Sequence, residues 1–244
     1  MHSEGVPRSG YFLTLEGPEG SGKSTQVRRV TARLAAEGYR CVATREPGGT
    51  ALGEQVRQIL LHSTELSPDP RTDALLFCAA RAQLVAEVIA PALARGEVVV
   101  CDRFGDSTLA YQGYGAGLPL DELRALITLA TDDLRPDLTV LIDLPVEDGL
   151  RRKVVDAEIT RFEAREEVSF HRRVRDGFLA LAAAEPERFV VLDGREPPET
   201  IEAAILAVLL PRLAGRPALR AGDAFEPKTT RPSEPQRHSL RMDK

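Results

Sequence analysis

Hydrophobic positions along the chain fall into two alternating kinds of run. Short runs rich in Val, Leu and Ile, at 11–16 (YFLTLE), 40–45 (RCVATR), 97–102 (EVVVCD), 138–143 (LTVLID) and 189–193 (FVVLD), read as strands. Between them, 23–37, 70–94, 119–133, 163–184 and 198–213 carry apolar residues at three- and four-residue spacing, which predicts helices with one buried face. Strands of this kind alternating with such helices are the pattern of a parallel sheet covered on both faces, an α/β fold. From about Ala214 the composition turns to Pro, Arg and Ser, with too few apolar residues to build a core. The expectation is one domain at 10–214, a mobile N-terminal tail at 1–9 and a disordered C-terminal tail at 215–244. A dispensable extension and a functional tail both fit that last composition.

A chain of 244 residues, 43% hydrophobic, can fill one core of ordinary size. A net charge of -5 and a pI near 5.5 argue against a broad basic surface for nucleic acid, while leaving room for a small anion in a local basic pocket. Cys41, Cys78 and Cys101 sit in apolar stretches without metal-type spacing, and the four histidines (His2, His62, His171, His238) are scattered. No apolar run reaches about 18 residues, and MHSEGVPRSG lacks the apolar core of a signal peptide. The expectation is a cytoplasmic protein with reduced thiols and no nucleic-acid or membrane partner.

The chemistry begins where the first strand ends. Gly17, Pro18, Glu19, Gly20, Ser21, Gly22, Lys23 and Ser24, followed by Thr25, fit G-x-x-x-x-G-K-[ST] at every fixed position. The motif lies between a strand and a helix, so backbone N–H groups and the helix N-terminus converge on one phosphate-sized hollow. Lys23, one of only four lysines, is placed to reach the β- and γ-phosphates of a nucleotide, and the Ser24 hydroxyl to bind Mg²⁺. Asp102, ending the Val98–Cys101 run, supplies a second oxygen for the metal. These two motifs indicate phosphoryl transfer or hydrolysis on ATP or GTP. The chain contains no asparagine, which disfavours the GTPases that read guanine with Asn-Lys-x-Asp.

Three segments in order make the pattern specific: Leu15–Thr25, Thr44-Arg45-Glu46-Pro47-Gly48-Gly49-Thr50, and Asp102-Arg103-Phe104-Gly105-Asp106-Ser107-Thr108-Leu109-Ala110-Tyr111-Gln112. Together with Leu75–Arg81 they resemble the thymidylate kinase family over about Tyr11 to Leu213. The resemblance implies a P-loop fold, a doubly wound five-stranded parallel sheet of order 2-3-1-4-5 with a helical lid, and ATP-dependent phosphorylation of dTMP to dTDP. By the same resemblance Arg45 and Arg103 bind the dTMP phosphate, and Arg103 also steadies the moving phosphoryl group. Phe77 and Arg81, four apart on one helix face, become a stacking ring and a donor to the thymine carbonyl. Glu19 contacts the sugar hydroxyl and orders the metal site; Thr108, Tyr111 and Gln112 line base and sugar. Read from spacing alone, Phe77 also suits a core position and Arg81 a surface one.

Gly20 is similar to the bacterial type, which carries catalytic arginines on its lid. That lid is expected at about 147–167, where Arg151, Arg152, Lys153, Arg161 and Arg165 lie. Arg161-Phe162-Glu163 resembles the family's D-R-[FI]-E, with Thr160 in place of the acid and Val154-Val155 in place of a Gly- and Arg-rich stretch. Arg161 is the first candidate for catalysis and Arg152 the second, with a solvated basic helix the competing account. A homodimer is also implied. The rival readings are a kinase for another nucleoside monophosphate or deoxynucleoside, and a nucleotide-binding regulatory module without transferase activity.

Overall fold

A computed structural model of the chain describes residues 9–63, 65–155 and 168–214. Strands β1 (Tyr11–Glu16), β2 (Cys41–Arg45), β3 (Val98–Asp102), β4 (Leu138–Asp143) and β5 (Phe189–Asp193) form one sheet in the order β2-β3-β1-β4-β5. All pairs are parallel, as expected. The helices among the described residues are α1 (Lys23–Ala36), α2 (Ala51–Arg57), α3 (Pro70–Leu84), α4 (Ala90–Ala94), α5 (Gly105–Thr108), α6 (Leu120–Thr131), α7 (Val146–Val155), α8 (Val168–Ala184) and α9 (Pro198–Ala214).

Side-chain alternation along the strands builds the two faces. Tyr11, Leu13 and Leu15 pack with Val30 and Leu34 of α1 and Ile205 and Leu209 of α9. Phe12 points the other way, into a cluster with Leu84, Ile89, Leu93 and Phe104. A third cluster around Phe178 of α8 joins Leu60, Ala110 and Leu123. Each fully buried Val, Leu, Ile or Phe among these contributes about 1.5–3 kcal/mol relative to exposure. In register, Leu15 and Arg45 both stand opposite Asp102, so β1, β2 and β3 end level with one another. The connections leaving β1 and β3 run in opposite directions along the sheet, which opens a crevice above their carboxyl ends.

The expected helix at 70–94 is continuous, with a π-helical stretch Val85–Ile89 joining α3 to α4. Asp69 caps it, accepting from the Arg71 N–H at 2.9 Å, with Pro70 in the first turn. Pro70–Ala94 is long and apolar enough to cross a membrane by composition alone, at a mean hydropathy of 1.5. Within the fold its Asp73 and Arg81 are buried, and α3 packs on α2 and α6.

Two helical segments were not legible in the hydrophobic pattern. One is α2 with its wider continuation Gln58–His62, a short element started by Thr50, whose Oγ1 accepts from the Gly53 N–H at 2.9 Å. The other is α5, continued by the π-helical Leu109–Gly115, where glycines lower helix propensity and tertiary packing compensates. The second half of the expected lid, 156–167 with Arg161 and Arg165, lies outside the described residues. So do residues 1–8 and 215–244 of the two expected tails.

Candidate active site

The loop between β1 and α1 wraps round its own lysine. Lys23 Nζ donates to the carbonyls of Gly17 (3.1 Å) and Pro18 (2.9 Å) and to Ser21 Oγ (3.2 Å). Burial, and then Arg103, lower its pKa to about 8, against the pull of Glu19, Asp102 and Glu16. The loop turns through Gly17 (φ +146°) and Gly20 (φ +69°). A Cβ at Gly20 would lie 2.4 Å from the Gly149 carbonyl oxygen, backbone that cannot yield to it.

Ser24, one residue into α1, donates its hydroxyl to Asp102 Oδ2 at the end of β3, at 2.5 Å. Two hard oxygens, both on the cavity wall, suit a Mg²⁺ that keeps waters and takes phosphate oxygens. No all-protein cage competes: among the described residues no group of three or more His, Cys, Asp or Glu could hold a metal.

One cavity of about 650 Å³ gathers most of the expected residues. Glu19, Gly20, Gly22, Lys23, Ser24 and Thr25 line it from the loop. Arg45, Phe77, Asp102 and Arg103 line it from strand ends and α3, and Thr108, Tyr111 and Gln112 from α5 and its continuation. Gly17, Pro18 and Ser21 shape the loop without lining the cavity. Arg152 of α7 also lines it, donating to the carbonyls of Gly20 (3.3 Å) and Gly194 (3.0 Å).

Arg103 is the most heavily engaged of these. Its backbone is left-handed (φ +70°), uncommon for a residue with a side chain. Its guanidinium donates to Glu19 Oε1 (2.9 Å), Tyr111 OH (3.1 Å), the Gly17 carbonyl (3.1 Å) and Ser107 Oγ (3.1 Å). Burial works against its charge, but Tyr111, Glu19, Glu16 and Asp102 outweigh it and raise its pKa. Arg45 is more exposed and is held by both oxygens of Glu54 at 3.1 Å.

Arg81 lies one layer below. It is only 1% exposed and is not on the cavity wall: Nε donates to Glu46 Oε2 (2.8 Å), Nη2 to the Phe104 carbonyl (3.1 Å) and Thr108 Oγ1 (3.0 Å). Helix spacing aligned Arg81 with Phe77, but Glu46, arriving from the end of β2, draws the guanidinium inward.

The cavity also contains Arg28 and Arg57, and Glu46 and Ser107 from the second and third motif segments, to none of which the sequence assigned a role. Arg28 stands four residues after Ser24 on α1, a spacing that signals a shared face. Arg57 donates to the Pro47 carbonyl at 2.9 Å; burial, and then Arg45, lower its pKa. Nothing in the sequence separates it from an ordinary surface arginine.

A family model described as thymidylate kinase matches residues 15–205. The chain is 51% identical over 213 residues to the thymidylate kinase of Geobacter sulfurreducens, covering 85% of this chain and all of that one. It is also 51% identical over 203 residues to that of Deinococcus radiodurans, covering 83% and 98%. A crystal structure of thymidylate kinase from Ehrlichia chaffeensis is similar with a TM-score of 0.66 and 33% identity, over 82% of this chain and 98% of that one. On this sequence, fold and site geometry, the chain belongs to the thymidylate kinase family.

Proposed function

We propose that the cavity transfers the γ-phosphoryl group of ATP directly to dTMP, giving dTDP and ADP. The observation that carries this reading is the convergence, in one 650 Å³ space, of a phosphate loop with Lys23 and a set suited to a nucleoside monophosphate: Arg45, Phe77, Arg103 and Tyr111. A phosphate dianion on a flat ring needs guanidinium donors and an aromatic face.

In this reading the backbone N–H groups from Gly17 to Thr25 cradle the ATP phosphates, and Lys23 takes the β- and γ-oxygens. Ser24 and Asp102 would hold Mg²⁺, which would supply positive charge to the nucleotide phosphates. Arg45 and Arg103 fix the dTMP phosphate, Phe77 stacks on thymine, and Glu19, Thr108, Tyr111 and Gln112 meet the sugar and base edges. Arg81 holds Glu46, the Phe104 carbonyl and Thr108 in place behind the cavity wall. An oxygen of the dTMP phosphate attacks the γ-phosphorus in line as the bond to the β,γ-bridging oxygen breaks, with no covalent enzyme intermediate. Arg161, and next Arg152, bring charge to the equatorial oxygens. The working domain is 10–214 and acts in the cytoplasm as a homodimer, without nucleic acid or membrane. Exposed Leu52, Ile59 and Leu75 on and around α2 and α3 support self-association.

The test is ADP release with dTMP, dUMP, dGMP, CMP and no acceptor. Turnover greatest with dTMP supports the reading. Preference for another nucleotide assigns a different acceptor, and binding without turnover makes the chain a regulatory module.

A further inference from the structure

We propose that Glu16 is a positioning residue for Arg103, acting through Ser107; this rests on the reading of Arg103 as a cation that binds the transferring phosphates.

Strand alternation puts Glu16, the last residue of β1, on the same face as Phe12 and Thr14, away from α1 and α9. There it is wholly buried, yet its carboxylate is filled with donors from one short segment. Oε1 accepts from the Phe104 N–H at 2.7 Å and the Ser107 N–H at 3.2 Å, and Oε2 accepts from Ser107 Oγ at 2.6 Å. Ser107 Oγ in turn accepts from Arg103 Nη1 at 3.1 Å. The carboxylate therefore fixes both the turn after Arg103, whose φ is +70°, and the direction of the hydroxyl that receives the guanidinium. With its proton committed to Glu16, Ser107 can only accept from Arg103; with Glu16 protonated, that hydroxyl is free to turn.

The surroundings make the charge state responsive. Burial, and then Asp106 of α5, raise the Glu16 pKa to about 7; Arg103 and the bonds from Ser107 and Phe104 oppose them. Lys23 of α1, Arg81 of α3 and Cys101 of β3 also interact electrostatically with it. Asp106 is itself ion-paired with Arg188 at 2.7 Å. None of these groups on α1, α3, β3 or α5 replaces the donors that Glu16 receives from 104–107.

The experiment measures kcat at saturating ATP and dTMP, from about pH 6 to about pH 9, for wild type, Glu16→Gln, Ser107→Ala and Arg103→Ala. Glutamine keeps the shape and one acceptor, but its amide donates to Ser107 and reverses the hydroxyl. Glu16→Gln and Ser107→Ala are each expected to lower kcat at the upper pH by roughly 10- to 100-fold, with the ATP KM little changed. The wild-type to Glu16→Gln ratio shrinks as pH falls, because wild type then gains the proton whose effect the amide mimics. Ionisation of the substrates cancels in that ratio. A ratio independent of pH, or a Ser107→Ala enzyme with normal kcat, overturns the proposal. Should Glu16→Gln not fold, Ser107→Ala decides alone. If Arg103→Ala cripples turnover while the other two are normal, only this inference fails. If Arg103→Ala is itself normal, the phosphate-binding reading of Arg103 fails and takes this one with it.

Discussion

Gly20 and Gly149 meet backbone to backbone, joining the phosphate loop to the first turn of α7. A Cβ on Gly20 would sit 2.4 Å from Gly149 O, and a Cβ on Gly149 would sit 2.3 Å from Glu19 O. The absence of a side chain in the loop is thus matched by its absence on the helix, and Arg152, three residues on, donates to the Gly20 carbonyl. The contact predicts that Gly149→Ala displaces the loop: a stability loss of about 1–3 kcal/mol with a raised ATP KM, read by denaturant unfolding and steady-state kinetics. Normal values for both would mean that the loop and α7 adjust independently.

Phe77→Ala is expected to weaken dTMP binding by about 1–3 kcal/mol and ATP binding much less, since a stacked ring acts on the base alone. Calorimetric titration of each ligand checks this. Equal losses would mean that Phe77 is structural.

The arginines should divide between binding and turnover. Arg45→Ala mainly raises the dTMP KM, because the phosphate it meets is already charged in the ground state. Arg161→Ala is expected to lower kcat by on the order of 10² to 10³, and Arg161→Lys to recover part of it, an ammonium keeping the charge without the planar fork. A silent Arg161→Ala with a crippled Arg152→Ala would transfer that role to Arg152, which already lines the cavity.

Glu16 also predicts a pH dependence of stability. Its pKa is raised from the ordinary 4.5 to about 7, so between those values the folded chain binds more protons than the unfolded one. Its contribution is fully present below 4.5 and is lost as pH rises through about 7. The unfolding free energy of wild type minus that of Glu16→Gln should fall across this window and level above it. A difference that stays constant would place the Glu16 pKa in the ordinary range.

How much was legible follows from where information lies in a chain. Gly17–Thr25 was readable because loop, lysine and hydroxyl are contiguous. Arg45, Asp102 and Arg103 were readable because the strand pattern brings their strand ends to one edge. Arg81 was readable as the helix-face partner of Phe77, but its burial was not, since that depends on Glu46, 35 residues away. Glu16 falls inside the first motif with no role legible there; its partners Phe104 and Ser107 are 88 and 91 residues away, and no local spacing announces them. The Leu109–Gly115 segment was invisible as a helix because packing against α6 and α8, not propensity, holds it.

Direct transfer from ATP to dTMP in this cavity is tested by counting products. Phosphorus NMR of the chain with ATP, Mg²⁺ and dTMP should show one dTDP for each ADP. Lys23→Ala, which removes the ammonium from the β- and γ-oxygens without emptying the core, should show neither while keeping its fold by circular dichroism. ADP formed without dTDP, or near-normal turnover by Lys23→Ala, would rule out direct transfer by this phosphate loop.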